Sequence, residues 1–227
     1  MKIFAISDLH LSLGSDKPMD IFGDQWIDHH LHIARDWESN VAPSDLVLLA
    51  GDHSWGLKLS EALPDLTFIG RLPGQKLLIK GNHDLWWQSR TKIEQVMDES
   101  MHILQNDSYR YGSWSICGTR GWITPQEQVL SKDDEKIYQR ELLRLKMSLE
   151  HAKSAGNLMV MMHYPPVTSE GVGTEFSRLM EEYGVKKCVY GHLHGASTKY
   201  AFEGEMGGIE YRLVSADHLH FKLLRLF

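Results

Sequence analysis

A chain of 227 residues is long enough to bury about 70% of the surface its unfolded form exposes, so one substantial core in a single domain, residues 1–227, is the simplest organisation. Hydrophobic residues at 42% and charged residues at 24% exclude a disordered or fibrous chain. A net charge of −6 speaks against sequence-blind nucleic-acid binding, which needs a basic field.

Cysteine usage and apolar runs narrow the setting. Cys117 and Cys188 each sit inside an apolar run, so a disulfide framework is not expected and both thiols should be reduced. The opening run, Met1-Lys2-Ile3-Phe4-Ala5-Ile6, is too short for a signal peptide and passes straight into Ser7-Asp8. No apolar run approaches the roughly 20 residues that span a bilayer. A cytoplasmic protein without a membrane partner is the expectation, and the pattern indicates no oligomeric state.

Residues 2–6 read as a first strand ending in Ser7-Asp8-Leu9-His10, where strand alternation would bring Asp8 and His10 to one side. An amphipathic helix is expected next, because Phe22, Trp26, His30, Ile33 and Trp37 fall at helical spacings. A second strand over residues 46–50 ends in Gly51-Asp52-His53. Residues 60–66 are weakly helical, and Pro73-Gly74 marks a turn before a third strand over 76–79. That strand runs into Lys80-Gly81-Asn82-His83-Asp84, where glycine permits a sharp bend followed by an amide, an imidazole and a carboxylate. Residues 91–98 read as a helix with Ile93, Val96 and Met97 as its stripe.

The second half changes character. Residues 109–118 alternate loosely and suggest one or two antiparallel strands, and 119–130 form a loop. Ser131 with Asp134 resembles a capping box, opening a helix with Tyr138, Leu142, Leu145, Leu149 and Ala152 on one stripe and Gly156 at its end. A buried strand over 158–162 ends in His163-Tyr164-Pro165-Pro166. A short helix over 176–183 leads to a strand over 187–190, which ends in Gly191-His192-Leu193-His194-Gly195. Residues 198–227 are strand-like.

Five apolar strands thus end in Asp8/His10, Asp52, Asn82/His83, His163 and His192/His194. Ligands of α/β sheets bind beyond the carboxyl ends of parallel strands, so these side chains are expected in one crevice. So many oxygen and nitrogen donors exceed what one tetrahedral ion takes and suit two divalent ions, held about 3.5–4 Å apart by a shared carboxylate.

At this point the chain resembles the calcineurin-like metallophosphoesterases. Their ordered blocks stand here as Asp8-Leu9-His10, Gly51-Asp52, Gly81-Asn82-His83-Asp84, His163 and Gly191-His192-Leu193-His194. The resemblance implies an α/β fold of two packed mixed β-sheets flanked by helices, a four-layer αββα sandwich. It also implies that Asp8, His10, Asp52 and His194 bind one metal, and that Asp52, Asn82, His163 and His192 bind the other with Asp52 bridging. His83 would bind no metal and face the substrate phosphate.

Other residues carry competing readings. His29, His30 and His32 point in different directions on a helix and read as packing or surface. His218 and His220 mimic the last block but lack a preceding glycine and are read as structural, within a strand. His53 departs from the aliphatic residue that many relatives carry there, and stands either behind the ligands or in the substrate pocket. Arg120 is a candidate phosphate clamp, although a solvated arginine is the simpler reading. Trp55, Trp86 and Trp87 flank ligand loops, where packing is favoured over base stacking and one of them is a candidate pocket wall.

Histidine and carboxylate without thiolate suit manganese, iron or zinc. Such ions would bring a bridging water towards ionisation at neutral pH and offset charge on a phosphoryl group. The expected function is therefore hydrolysis of a phosphomonoester or phosphodiester by attack of a metal-bridging hydroxide, with His83 assisting the leaving oxygen. Two rival readings stand beside it. Another dinuclear hydrolase, the metallo-β-lactamase fold, would show a contiguous H-x-H-x-D-H run, which is absent here. A non-catalytic metal- or phosphate-binding module would lack a ligand or His83, and neither is missing.

Overall fold

The structure is a computed structural model that describes residues 1–152 and 156–227. The first half of the chain alternates short strands with helices: β1 (Ile3–Ile6), α1 (His29–Asn40), β2 (Leu46–Leu49), α2 (Leu59–Arg71), β3 (Gln75–Leu78), α3 (Arg90–Glu94) and β4 (Met101–Ile103). The second half supplies β5 (Tyr109–Tyr111), β6 (Trp114–Thr119), α4 (Lys132–His151), β7 (Asn157–Met162), α5 (Glu175–Glu182), β8 (Lys187–Tyr190), β9 (Gly204–Met206), β10 (Ile209–Leu213) and β11 (Leu224–Arg225).

These strands form two mixed sheets. The five-stranded sheet has the order β11-β1-β2-β3-β4, parallel throughout except for β11 at its edge. The six-stranded sheet runs β5-β6-β7-β8-β10-β9, with a parallel centre and the antiparallel strands β5 and β9 at its two edges. Parallel strands need crossover connections, which is where the helices come from.

The period of two along each strand explains the layering. Ile3, Ala5, Leu46, Leu48 and Leu77 face Ile116, Met159, Met161 and Val189 of the other sheet and form the core between the sheets. The alternate residues Phe4, Ile6, Val47, Leu49 and Leu78 pack outwards on Ile33, Trp37, Leu66 and Ile69 of α1 and α2. On the far side, Val160, Met162 and Cys188 pack on Tyr138, Leu145, Leu149, Phe176 and Met180 of α4 and α5. Strands buried on both faces read as continuous apolar runs, which is why they were visible in the sequence. Each such aliphatic or aromatic side chain contributes roughly 1.5–3 kcal/mol on burial.

Several expectations need correction. The helix expected from Phe22 onwards begins only at His29, because Gly23 (φ 130°) and Asp28 (φ 51°) both take left-handed backbone and break the run. Trp26 is buried as its spacing suggested, but from a short 3-10 turn, and Phe22 is exposed. The weakly helical stretch at 60–66 is a helix nearly twice as long, α2, which carries Pro64 because Ala62, Leu66 and Ile69 are buried against the sheet. His218 and His220 lie in a turn between β10 and β11, not within a strand, and His218 pairs with Glu203 (3.1 Å). The capping of α4 is as expected, with the Asp134 N–H donating to Ser131 Oγ at 3.1 Å. The helix ends at His151 with Ala152 as its C-cap, ahead of the expected Gly156, and residues 153–155 lie outside the described residues.

Cys117 and Cys188 are free and buried. Burial pushes the Cys117 thiol up to about 12 and raises Cys188 as well. Both thiols are therefore expected to resist an aromatic disulfide reagent at pH 8 in the native protein and to react fully once the chain is unfolded. Rapid labelling of either thiol under native conditions would contradict this placement.

Candidate metal centre

All five motif blocks lie at carboxyl ends of parallel strands, after β1, β2, β3, β7 and β8. Convergence does not come from strand alternation, as the sequence suggested for Asp8 and His10. Instead Asp8 (φ 54°), His10 (φ 45°), Asp52 (φ 56°) and His192 (φ 71°) all adopt left-handed backbone just beyond their strands. Such conformations cost about 1–3 kcal/mol each for a residue other than glycine and are retained where the surroundings enforce them. Here the first and second loops enforce each other, because the Asp8 N–H donates to the Gly51 carbonyl and the His10 N–H to the Asp52 carbonyl, each at 3.0 Å. Gly81 and Gly191 allow close approach. A Cβ on Gly81 would collide with the Asp52 carboxylate and backbone, and one on Gly191 with Ser7 and Asp8.

Seven predicted ligands meet in this crevice. Asp8 Oδ2 accepts from Ser7 Oγ (2.6 Å), the His192 N–H (2.9 Å) and Ser215 Oγ (3.0 Å), which leaves Oδ1 without a hydrogen bond, 3.9 Å from His10 Nε2. Asp52 Oδ1 accepts the His83 N–H (2.7 Å), while Oδ2 lies 3.3 Å from His163 Nε2 and 3.9 Å from His10 Nε2. Asn82 Oδ1 lies 2.6 Å from His163 Nε2 and 3.0 Å from His192 Nδ1. Among the described residues, two trios can each hold an ion, Asp8-His10-His194 and Asp8-Asp52-His163, with their ligand atoms within 4.8 Å of one another.

The donor set fits divalent cations. Asp8 Oδ1, Asp52 Oδ2 and both ring nitrogens of His10 are buried without a hydrogen-bond partner. Buried polar atoms are almost always paired, so Asp8 Oδ1, Asp52 Oδ2 and His10 Nε2, which face one another across the crevice, call for a bound group of positive charge.

Electrostatics agree at two of the histidines. Burial lowers His10 and His192 to about 3, which leaves neutral imidazoles able to donate lone pairs. Burial raises Asp8. Burial acts the same way on Asp52, but His163 facing it outweighs this and holds the carboxyl well below its ordinary range. For His163, burial pulls downwards while Asp52 lifts it to about 9. His163 Nδ1 lies 3.0 Å from the Ala50 carbonyl, and donation there leaves Nε2 as the ring atom facing the crevice.

The remaining candidates fall around this centre. His83 is half-buried, with its ring 5.6 Å from that of His10 and 4.6 Å from that of Trp55. Trp55 also stacks on His10 at 4.7 Å and forms a wall, whereas Trp86 is buried and bonds inwards. His53 is fully buried with Nε2 2.9 Å from the Ile79 carbonyl, which places it behind the ligand loops and away from the crevice mouth. Arg120 is mostly buried, 3.5 Å from Glu141, with its guanidinium over Trp122. Its carbonyl accepts the N–H groups of both His163 and Tyr164. His29 is a core histidine bonded to the Trp26 and Leu9 carbonyls, as the packing reading expected.

Sequence reasoning assigned no role to Asp84, although it is the last residue of its own block. This fully buried carboxylate accepts the N–H groups of His53 (2.8 Å), Gly81 (2.8 Å) and Asp52 (2.9 Å) and the indole N–H of Trp86 (3.0 Å). It therefore ties the Gly51-Asp52 loop to the Gly81-Asn82-His83 loop. Ser7 and Ser215, which orient Asp8, were also missed. Ser215 carries no local signal, because its partner lies 207 residues away in the chain.

Comparison with known proteins gives three findings. The sequence profile of a family described as "Calcineurin-like phosphoesterase" matches residues 1–196. The Gene 66 protein of Mycobacterium phage D29 is 37% identical over 82 residues, 36% of this chain and 40% of that protein. The Gene 66 protein of Mycobacterium phage L5 is 38% identical over 80 residues, 34% of this chain and 37% of that protein. The matched stretch thus spans well under half the length of either relative. Among solved structures, a protein from Thermus thermophilus aligns with TM-score 0.58 and 14% identity over 98% of this chain and 96% of its own. A protein of unknown function from Aquifex aeolicus aligns with TM-score 0.51 and 16% identity over 99% and 95%. At such identities these two likenesses show the fold alone.

Proposed function

Because the chain belongs to the calcineurin-like phosphoesterase family, we propose that it hydrolyses a phosphate ester with the help of two divalent metal ions, across residues 1–227 as one domain. The observation that carries this reading is the set of buried, unbonded ligand atoms on Asp8, His10 and Asp52. Asp8, His10, Asp52 and His194 would hold one ion, and Asp52, Asn82, His163 and His192 the other. The position of Asp52 Oδ2 between His10 and His163 supports its bridging role. Histidine and carboxylate donors favour manganese, iron or zinc. Once bound, such ions supply an activated water and offset negative charge on the phosphoryl group.

The chain's own residues do the rest. Asp52 positions His83, because its Oδ1 accepts the His83 backbone N–H and so fixes where the imidazole sits. His83 lies outside both ligand trios and is only half-buried, open enough to reach a substrate. It would donate a proton to the leaving oxygen or stabilise it. Trp55 packs against the His10 and His83 rings from the side.

A turnover screen of the manganese-loaded protein against aryl monoesters, aryl diesters and nucleotides tests the activity. His83→Gln tests the acid. It is expected to keep its full metal content and to lose roughly 10²–10⁴ in kcat/KM, the usual worth of a positioned acid or base. The loss should be larger for alkyl esters, whose alkoxide leaves poorly, than for nitrophenyl esters. Equal losses would reduce His83 to an electrostatic role, and depleted metal would make it a ligand.

A further inference from the structure

Beside the metal centre, at the ends of β3, β4 and β6 and against α4, lies a second cavity of about 330 Å³. Its lining is out of keeping with a chain of net charge −6. Lys80, Arg120, Arg140 and Arg144 all border it, against the single carboxylate of Glu141. That carboxylate is buried and already divided, with Oε2 accepting from the Thr119 hydroxyl at 2.7 Å. Oε1 is left to serve three guanidiniums, at 2.9 Å from Arg144 and 3.5 Å from both Arg120 and Arg140. Only the Arg144 contact is a hydrogen bond. Among the described residues Lys80 has no ion pair at all, and the Arg120 Nε is buried without a partner.

Three guanidiniums gathered around one shared carboxylate, with Lys80 bordering the same space, repel each other. We propose that this cavity is an anion-binding site, separate from the metal centre, that takes a small polyphosphate, either the inorganic anion or the diphosphate end of a nucleotide. The volume is at the lower end of ligand-sized pockets, which run from about 300 to 1,000 Å³. Arginine forks suit phosphate oxygens better than any other side chain. A ligand of two or more negative charges restores the balance that Glu141 alone does not. This site does not depend on the reaction proposed above and stands or falls separately from it.

The test uses methylenediphosphonate, whose P–C–P link resists hydrolysis, titrated calorimetrically into the full chain carrying Asp52→Asn to disable the metal centre. Binding is expected in that background, and adding Arg140→Glu should weaken it about tenfold or more, since the charge at close range is reversed. Arg140 is half-exposed, so this change leaves the core intact, which circular dichroism verifies. Arg35→Glu, an exposed change in α1 with the same effect on net charge, should shift affinity by no more than about twofold. The methylene analogue of ADP, titrated in parallel, separates the two ligand sources. Equal affinity assigns the site to the bare anion and tighter binding to the nucleotide. Absence of binding in Asp52→Asn, indifference to Arg140→Glu, or equal weakening by Arg35→Glu would each overturn the site.

Discussion

Replacing Asp52 by asparagine is expected to lower metal content at both positions and to cut kcat/KM by about 10³-fold or more. The substitution keeps shape but removes the charge of a carboxylate whose Oδ2 lies between His10 and His163. Losing an outer partner of a metal ligand already costs about 10–100-fold, so losing the bridge itself should exceed that. A control is built into the site. On the proposed assignment His10→Ala would remove a ligand of one ion only, since His10 groups with Asp8 and His194 and not with His163. Its metal loss should therefore be confined to about one equivalent. Elemental analysis of the purified variants, with kcat/KM on the same samples, decides the matter. Two full equivalents of metal in Asp52→Asn would rule out the bridging role.

The largest effect on stability is expected at Asp84. Removing its carboxylate by Asp84→Ala strands the N–H groups of Asp52, His53 and Gly81 and the indole N–H of Trp86, in a place no bulk water reaches. A buried donor without a partner costs about 1–3 kcal/mol. Partial relaxation of the loops leaves a total on the order of 4 kcal/mol. At roughly 2–4 °C per kcal/mol for a chain of this size, Tm should fall by about 8–16 °C. Metal content should fall as well, since Asp84 holds the loop bearing Asp52 against the loop bearing Asn82. Asp84→Asn retains one acceptor oxygen and should fall between the two. A drop of under about 3 °C in Asp84→Ala would show that the carboxylate does not hold these loops together.

The local part of this protein was written in its sequence. Short aliphatic runs stopping at glycine or at polar residues announced β1, β2, β3, β7 and β8, because strands buried on both faces must be continuously apolar. The same runs delivered Asp8, His10, Asp52, Asn82, His163, His192 and His194 to strand ends, where side chains gather by topology. The cap at Ser131 was equally legible, since a capping contact joins residues three apart. Backbone geometry and distant contacts were decided only in three dimensions. Asp8, His10, Asp52 and His192 reach the crevice through left-handed backbone, a conformation disfavoured locally and imposed by bonds between loops. Asp28 is likewise left-handed and, with Gly23, starts α1 later than the apolar spacing suggests. Ser215 orients Asp8 across 207 residues, and Asp84 collects donors from a loop about 30 residues earlier. Periodicity reports which face of an element is buried, whereas these partners are set by how the two sheets and their loops meet, which no spacing along the chain encodes.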